Sequence, residues 1–196
     1  MEKERLNMQK SMVVSQESPE FAIGLLSFFV AILFLALTHL IGMMAAQGTI
    51  GLQMLQFLPL VFVLLAAGFI VPICGNLNTG RCHLVWLVVP AVVLLTSAGL
   101  AFTLNSANAW NTWQFRWPLA PMGLSLSMYM VYLMGQRQRW LLLISTTIMG
   151  ASLLVFSFLA AFIGEWIYTQ PQVPMLLCGC GVLLVSLNLI QGKLWS

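Results

Sequence analysis

Residues 51–74 read GLQMLQFLPLVFVLLAAGFIVPIC, 24 consecutive positions without Asp, Glu, Lys, Arg or His. Wound as a helix at about 1.5 Å per residue, such a stretch covers the ~30 Å hydrocarbon core of a bilayer. A helix satisfies its backbone donors and acceptors internally, which hydrocarbon demands. The run also lacks the apolar-polar alternation of a membrane barrel strand. It therefore predicts a transmembrane helix.

Working outward, the same reading applies to Phe21 to Met43, Leu84 to Leu104, Leu119 to Gly135, Trp140 to Gly164 and Pro174 to Ile190. Each lies near the ~17 to 25 residues a span requires. The links are short: Ala45 to Ile50, Gly75 to His83, Asn105 to Pro118, Gln136 to Arg139 and Glu165 to Val173. Short links make sequential helices antiparallel neighbours. The expected fold class is all-α: a polytopic membrane helix bundle with about six transmembrane helices. Residues 1–20 form an N-terminal tail, 21–190 the bundle and 191–196 a C-terminal tail.

Composition agrees. The chain is 60% hydrophobic and 7% charged, with a mean hydropathy of +0.95, whereas soluble domains carry roughly 25% charged residues. Glu2, Lys3, Glu4, Arg5, Lys10, Glu17 and Glu20 precede Phe21, and only six charges follow. The first apolar stretch starts at Phe21 and is long enough to span, so it reads as a retained helix rather than a signal peptide. The +3 formal charge sits in loops and termini, and no basic stripe interleaved with aromatics points to nucleic acid. Nor does the chain show an internal repeat of the kind that builds two-halved transporters.

Lys and Arg accumulate on the cytoplasmic side of membrane proteins. With six spans, Lys3, Arg5, Lys10, Arg81, Arg137, Arg139 and Lys193 gather on one side, against Arg116 alone on the other. That asymmetry places both termini in the cytoplasm and the Asn105 to Pro118 loop outside.

Few residues can carry chemistry. Cys74, Cys82, Cys178 and Cys180 form no Cys-x-x-Cys pair and read as small buried thiols in the membrane. His39 and His83 fall at opposite faces, unlike the paired axial ligands of a membrane haem, and the chain has no ligand set for a metal. His39 lies near the outer end of the first span, where an imidazole is either solvated at headgroup level or functional. Glu165, in Gly164-Glu165-Trp166, is the only acidic residue after Glu20. It reads either as an interfacial carboxylate beside a Trp anchor or, with His39, as a proton acceptor for a reduced quinone. Ala160 and Gly164 permit close helix approach.

The third link is the most unusual: Asn108-Ala109-Trp110-Asn111-Thr112-Trp113-Gln114-Phe115-Arg116-Trp117-Pro118. Trp110, Asn111, Trp113, Arg116 and Trp117 form either an aromatic belt anchoring two helix ends or a docking surface, since Trp and Arg concentrate at the energetic centres of interfaces.

Here the sequence resembles the membrane anchor subunit of the dimethyl sulfoxide reductase family of bacterial molybdopterin oxidoreductases. The likeness covers about 30 residues: Ala109-Trp110-Asn111-Thr112-Trp113, then Pro118 to Gly123, then a helix with Ser125, Ser127 and Met128 ending in Leu133-Met134-Gly135. His39-Leu40-Ile41-Gly42 and Gly164-Glu165 resemble two shorter family elements. Aligned this way, the chain corresponds to an inner six of the family's usual eight helices. It departs from the family at Gln53 and Gln56, where an acidic residue ordinarily opens the next helix.

The resemblance implies a non-catalytic anchor in the bacterial inner (plasma) membrane. Iron-sulfur and molybdopterin subunits would dock on its outer face at Trp110, Asn111, Trp113, Arg116 and Trp117. Quinol, with menaquinol the candidate, would bind near His39 and Glu165, and the cofactors would belong to the partner subunits. Two other readings stay open. One is a small transporter or channel for an apolar or neutral solute, with Thr96, Ser97, Ser145, Thr146, Thr147, Ser152 and Ser157 along a narrow path. The other is a structural or assembly factor.

Overall fold

The computed structural model describes residues 2–76, 82–134, 138–164, 170 and 172–194, and the side chains of 22–51, 53–75, 84–134, 138–164, 170 and 172–186. The described residues hold helices and no strand. In chain order they are α1 (Glu2–Ala46), α2 (Leu52–Asn76), α3 (Val88–Ser106), α4 (Trp113–Arg116), α5 (Leu119–Leu133), α6 (Arg139–Phe162) and α7 (Gln172–Leu194). Short 3-10 turns, Cys82–Leu87 and Trp110–Thr112, lead into α3 and α4. Residues 2–20, expected as a separate tail, continue α1 as backbone helix. Their Glu, Lys, Arg, Gln and Met are strong helix formers, so the helix outruns its apolar part.

Among the described residues, four segments are long and apolar enough to cross a membrane: Ala22–Ala46, Gln53–Gly75, Leu84–Ser106 and Arg139–Phe162. Their length and composition suggest a membrane protein. Leu119–Leu133 is apolar but shorter, and the part of α7 whose side chains are described, Gln172–Ser186, is apolar as well. At 15 residues, α5 rises about 22 Å, less than a ~30 Å core. Pro118 is its N-cap. Pro121 stands in the first turn, where the missing N–H is no loss.

Each helix from α2 to α7 packs chiefly on the next long one, α2 on α3, α3 on α5, α5 on α6 and α6 on α7, while α1 lies against α3. The centre of this row is α3, whose span is 67% buried against 17% for α2. Cys74, Cys178 and Cys180 are exposed on the bundle's outer surface rather than in its interior.

In lipid, helices associate through close packing and interhelical hydrogen bonds rather than hydrophobic transfer, and both are visible. Ser125 Oγ donates to the Ser145 carbonyl at 2.7 Å and Ser145 Oγ donates back to the Ser125 carbonyl at 2.8 Å, clasping α5 to α6. Thr38 Oγ1 reaches Ser97 Oγ at 3.3 Å between α1 and α3. Ser157 Oγ donates to the Pro174 carbonyl between α6 and α7. Along that last seam Gly150 meets Gly181: a Cβ on Gly181 falls 3.0 Å from the Gly150 carbonyl oxygen, and the reverse distance is 3.1 Å.

Thr96, Thr146 and Thr147 donate to carbonyls of their own helices. With Ser97, Ser145 and Ser157 holding helices together, most hydroxyls weighed for a polar path are already engaged.

Candidate functional site

The site lies at the end of the bundle where α1 stops, α2 begins and the tryptophan link crosses. α3 ends at Ser106, and Ala107 and Asn108 turn the chain. Asn108 adopts φ 47°, a left-handed conformation that Asn tolerates better than most residues. The Ala109 N–H donates to the Leu104 carbonyl at 2.9 Å and the Asn108 N–H to the Asn105 carbonyl at 3.1 Å, the paired bonds of a Schellman stop. Thr112 Oγ1 donates to the Ala109 carbonyl at 2.6 Å, closing the 3-10 turn. The expected connecting loop is thus a folded cap.

Asn105 fastens this cap to α2, for a reason that begins with Pro59. Pro59 lies inside α2 and has no N–H, so the Leu55 carbonyl four residues earlier loses its helical donor. Asn105 Nδ2 supplies the bond at 2.6 Å. Its Oδ1 accepts the Trp110 Nε1–H at 2.8 Å. One side chain satisfies both a carbonyl orphaned by proline and a buried indole.

Trp113 fastens the cap to α1. It is 1% exposed and Trp110 5% exposed, both in one cluster with Ala45, Leu55, Ala101 and Leu104. The indole lies flat over Gly42, where a Cβ would fall on Cε2 and Cδ2. Any other residue at position 42 would displace the ring. Trp113 Nε1–H is buried and has no hydrogen-bond partner among the described residues.

His39 stands one turn before Gly42 on the same face of α1. Its imidazole is exposed to the surroundings, 5.4 Å from the Trp117 ring in an edge-on arrangement and 6.2 Å from the Trp113 ring, tilted. Trp110 extends the group, 6.3 Å from Trp113. The three tryptophans and His39, singled out separately in the sequence, are one constellation.

The cap also touches α6. Phe115 is buried with Phe156 and Ala160, joined by Leu119, Leu159 and Leu177. Ala160, fully buried, leaves room for that contact. Beyond it, an apolar groove of about 530 Å³ follows the seam of α6 and α7, lined by Val155, Phe158, Ala161, Phe162, Met175 and Cys178 among others. The Phe158 and Phe162 rings lie 4.7 Å apart on its wall.

The sequence-derived docking residues divide. Trp110 and Trp113 bury their rings in the chain's own core, so they have almost no surface to offer a partner. Asn111 is exposed, while Arg116 and Trp117 are half-buried. Arg116 lies 5.7 Å from the Phe115 ring centroid. Glu165 lies outside the described residues. Sequence reasoning named Gly42 only as part of the element His39-Leu40-Ile41-Gly42, without a packing role, and missed Asn105. The spacing of Pro59 from Leu55 carries a signal that some donor must serve α2, but no signal naming Asn105.

Comparison with protein-family models, characterised proteins and solved structures returns no match for this chain.

Proposed function

We propose that the chain is the membrane anchor subunit of a bacterial molybdopterin oxidoreductase of the dimethyl sulfoxide reductase type. In this reading it crosses the inner membrane six times with both termini in the cytoplasm. The tryptophan end faces an extracytoplasmic iron-sulfur and molybdopterin module, and a quinol, menaquinol for preference, is oxidised beside His39. The observation that carries the reading is the constellation of His39 with Trp113 and Trp117 under a folded cap. It sets two of the three sequence elements that resemble the family, the one at His39 and the tryptophan link, beside each other at one end of the bundle.

The chemistry required of the chain is modest. Oxidation of a quinol to a quinone releases two electrons and two protons. The electrons go to the partner's clusters. The imidazole at the bundle end, open to the surroundings, can relay the two protons in turn to water. Asn111, with the outer parts of Arg116 and Trp117, gives the cap a polar and aromatic rim of the composition that interfaces favour. The transporter reading has less support, because most of the hydroxyls it relied on hold helices together or serve their own backbone.

The test is purification of the chain from native membranes, with identification of what accompanies it. An iron-sulfur subunit and a molybdopterin subunit in stoichiometric amounts are expected, and Arg116→Glu should reduce their recovery several-fold. Recovery of the wild-type chain without any redox partner refutes the reading.

A further inference from the structure

Gly24 and Gly42 stand 18 positions apart in α1. At about 3.6 residues per turn that is close to five turns, so the two glycines share one face roughly 27 Å apart along the axis. Each receives an indole. A Cβ on Gly42 would fall on Cε2 and Cδ2 of Trp113, from the cap. A Cβ on Gly24 would fall 3.0 and 3.1 Å from the same two atoms of Trp86, which belongs to the 3-10 turn leading into α3 at the other end of the bundle. The same edge of an indole is thus seated in a glycine notch at each end of the span.

Between the notches the buried residues of α1 are Ser27, Ala31 and Thr38, all small, with Phe28, Phe34 and Leu35 half-buried beside them. A face of small side chains lies close on α3 and has few knobs to fix its position along the axis. The Thr38 hydroxyl reaches Ser97 at 3.3 Å. Residues 25–41 contain neither Gly nor Pro, where helices most often kink, so little absorbs a displacement between one end and the other.

Trp86 has little room to retreat from α1. It is 9% exposed. Trp140 stacks on it at 6.3 Å with 20° between the planes, and the Trp140 Nε1–H is held by Gln138 Oε1. Bulk added at position 24 therefore pushes on α1 itself.

We propose that Gly24 and Trp86 are positioning residues for His39. Seating the indole in its notch fixes the register of α1, and that register holds the imidazole beside Trp117, 15 positions and roughly 22 Å further along the helix. A contact at one end of the bundle then governs the proton acceptor at the other. The consequence for chemistry rests on the quinol reading above; the coupling along α1 does not.

The experiment is ¹H–¹³C NMR of the imidazoles of the full chain in nanodiscs. The two histidines give two Cε1 cross-peaks, and His39→Gln assigns one by its loss. The Trp117 ring, 5.4 Å away, shifts that peak, and Trp117→Leu marks its position without the ring. Gly24→Leu should move the His39 peak, and Trp86→Ala in the same chain should return it toward its original place. Ala22→Leu, which adds similar bulk at an exposed position of the same helix end, should leave it where it is. Should Gly24→Leu fail to fold, Gly24→Ala adds only the methyl and should move the peak the same way by less.

A His39 peak unmoved by the Gly24 substitution, or moved equally by Ala22→Leu, overturns the proposal. Movement confined to the indole ¹⁵N peaks of Trp86 and Trp140 overturns it too, because the bulk is then absorbed locally. The quinol reading is tested separately, by quinol oxidation in the native complex carrying His39→Ala. Normal oxidation there, with a His39 peak that follows Gly24, removes the redox role and keeps the coupling. Slowed oxidation with an unmoved peak keeps the redox role and removes the coupling.

Discussion

Replacing Gly42 by Ala adds one methyl group, and the structure places that methyl on the fused edge of the Trp113 indole. In a helix interior the substitution alone favours Ala by about 0.5–1 kcal/mol. Gly99 in α3 supplies the control, since a Cβ there meets nothing within 4 Å. Gly99→Ala should therefore be neutral or stabilising by up to about 1 kcal/mol.

At Gly42 the overlap costs about 1–3 kcal/mol, because Trp113 is held on every side and its ring cannot retreat. Set against the propensity gain, the net is roughly 0–2 kcal/mol of destabilisation, opposite in sign to the control. Trp113→Phe removes the fused ring that carries Cε2 and Cζ2. It costs stability of its own through lost packing, yet in that background Gly42→Ala should recover about 1 kcal/mol or more. The assay is reversible unfolding in mixed detergent and dodecyl sulfate micelles, followed by circular dichroism for the two single variants and the double. Additivity within the ~0.3–0.5 kcal/mol expected of independent sites would show that the ring does not lie on Gly42 and that the cap is seated elsewhere.

Other outcomes follow from the same contacts. Asn105→Ala should destabilise the bundle by about 1–3 kcal/mol by leaving the Leu55 carbonyl and the Trp110 indole unserved. In a Pro59→Ala background the loss should shrink, because residue 59 regains an N–H for Leu55; an equal loss in both backgrounds, measured by the same unfolding titration, contradicts the account of Pro59. Ser145→Ala should cost about 0.6–1.7 kcal/mol, and Ser125→Ala should cost a similar further amount once Ser145 is gone, since each hydroxyl serves the other residue's backbone carbonyl, which the substitution leaves in place. For topology, Asn111→Cys in a cysteine-free chain should react with an impermeant maleimide added outside intact cells while Arg137→Cys does not. Labelling of both from one side would remove the six-span arrangement.

Much of the architecture was legible before any coordinates. Twenty-four uncharged positions at 51–74 admit a helix in a bilayer and little else, and the same reasoning places the other long apolar spans within a few residues, though not the start of α1. The length of α5 was less legible. Hydrophobicity reports which residues avoid water, while the end of a helix depends on where Pro118 or a turn interrupts the backbone. The tryptophan link was conspicuous, but its reading as a surface was incomplete. A Trp in a membrane-end segment serves equally as an anchor, a docking group or core, and only the position of the facing helix decides which.

By itself, the sequence determined the solvent and the secondary structure, because the cost of placing unpaired backbone in hydrocarbon depends only on local composition. Tertiary structure decided the use of each polar group. Asn105 serves Leu55, Ser125 and Ser145 serve each other, and His39 meets Trp113 and Trp117, because hydrogen bonds and ring contacts depend on which helices come within a few ångströms. A glycine without a side chain, Gly42, set one of those approaches. It carries no chemical signal in the sequence because its contribution is the space it leaves.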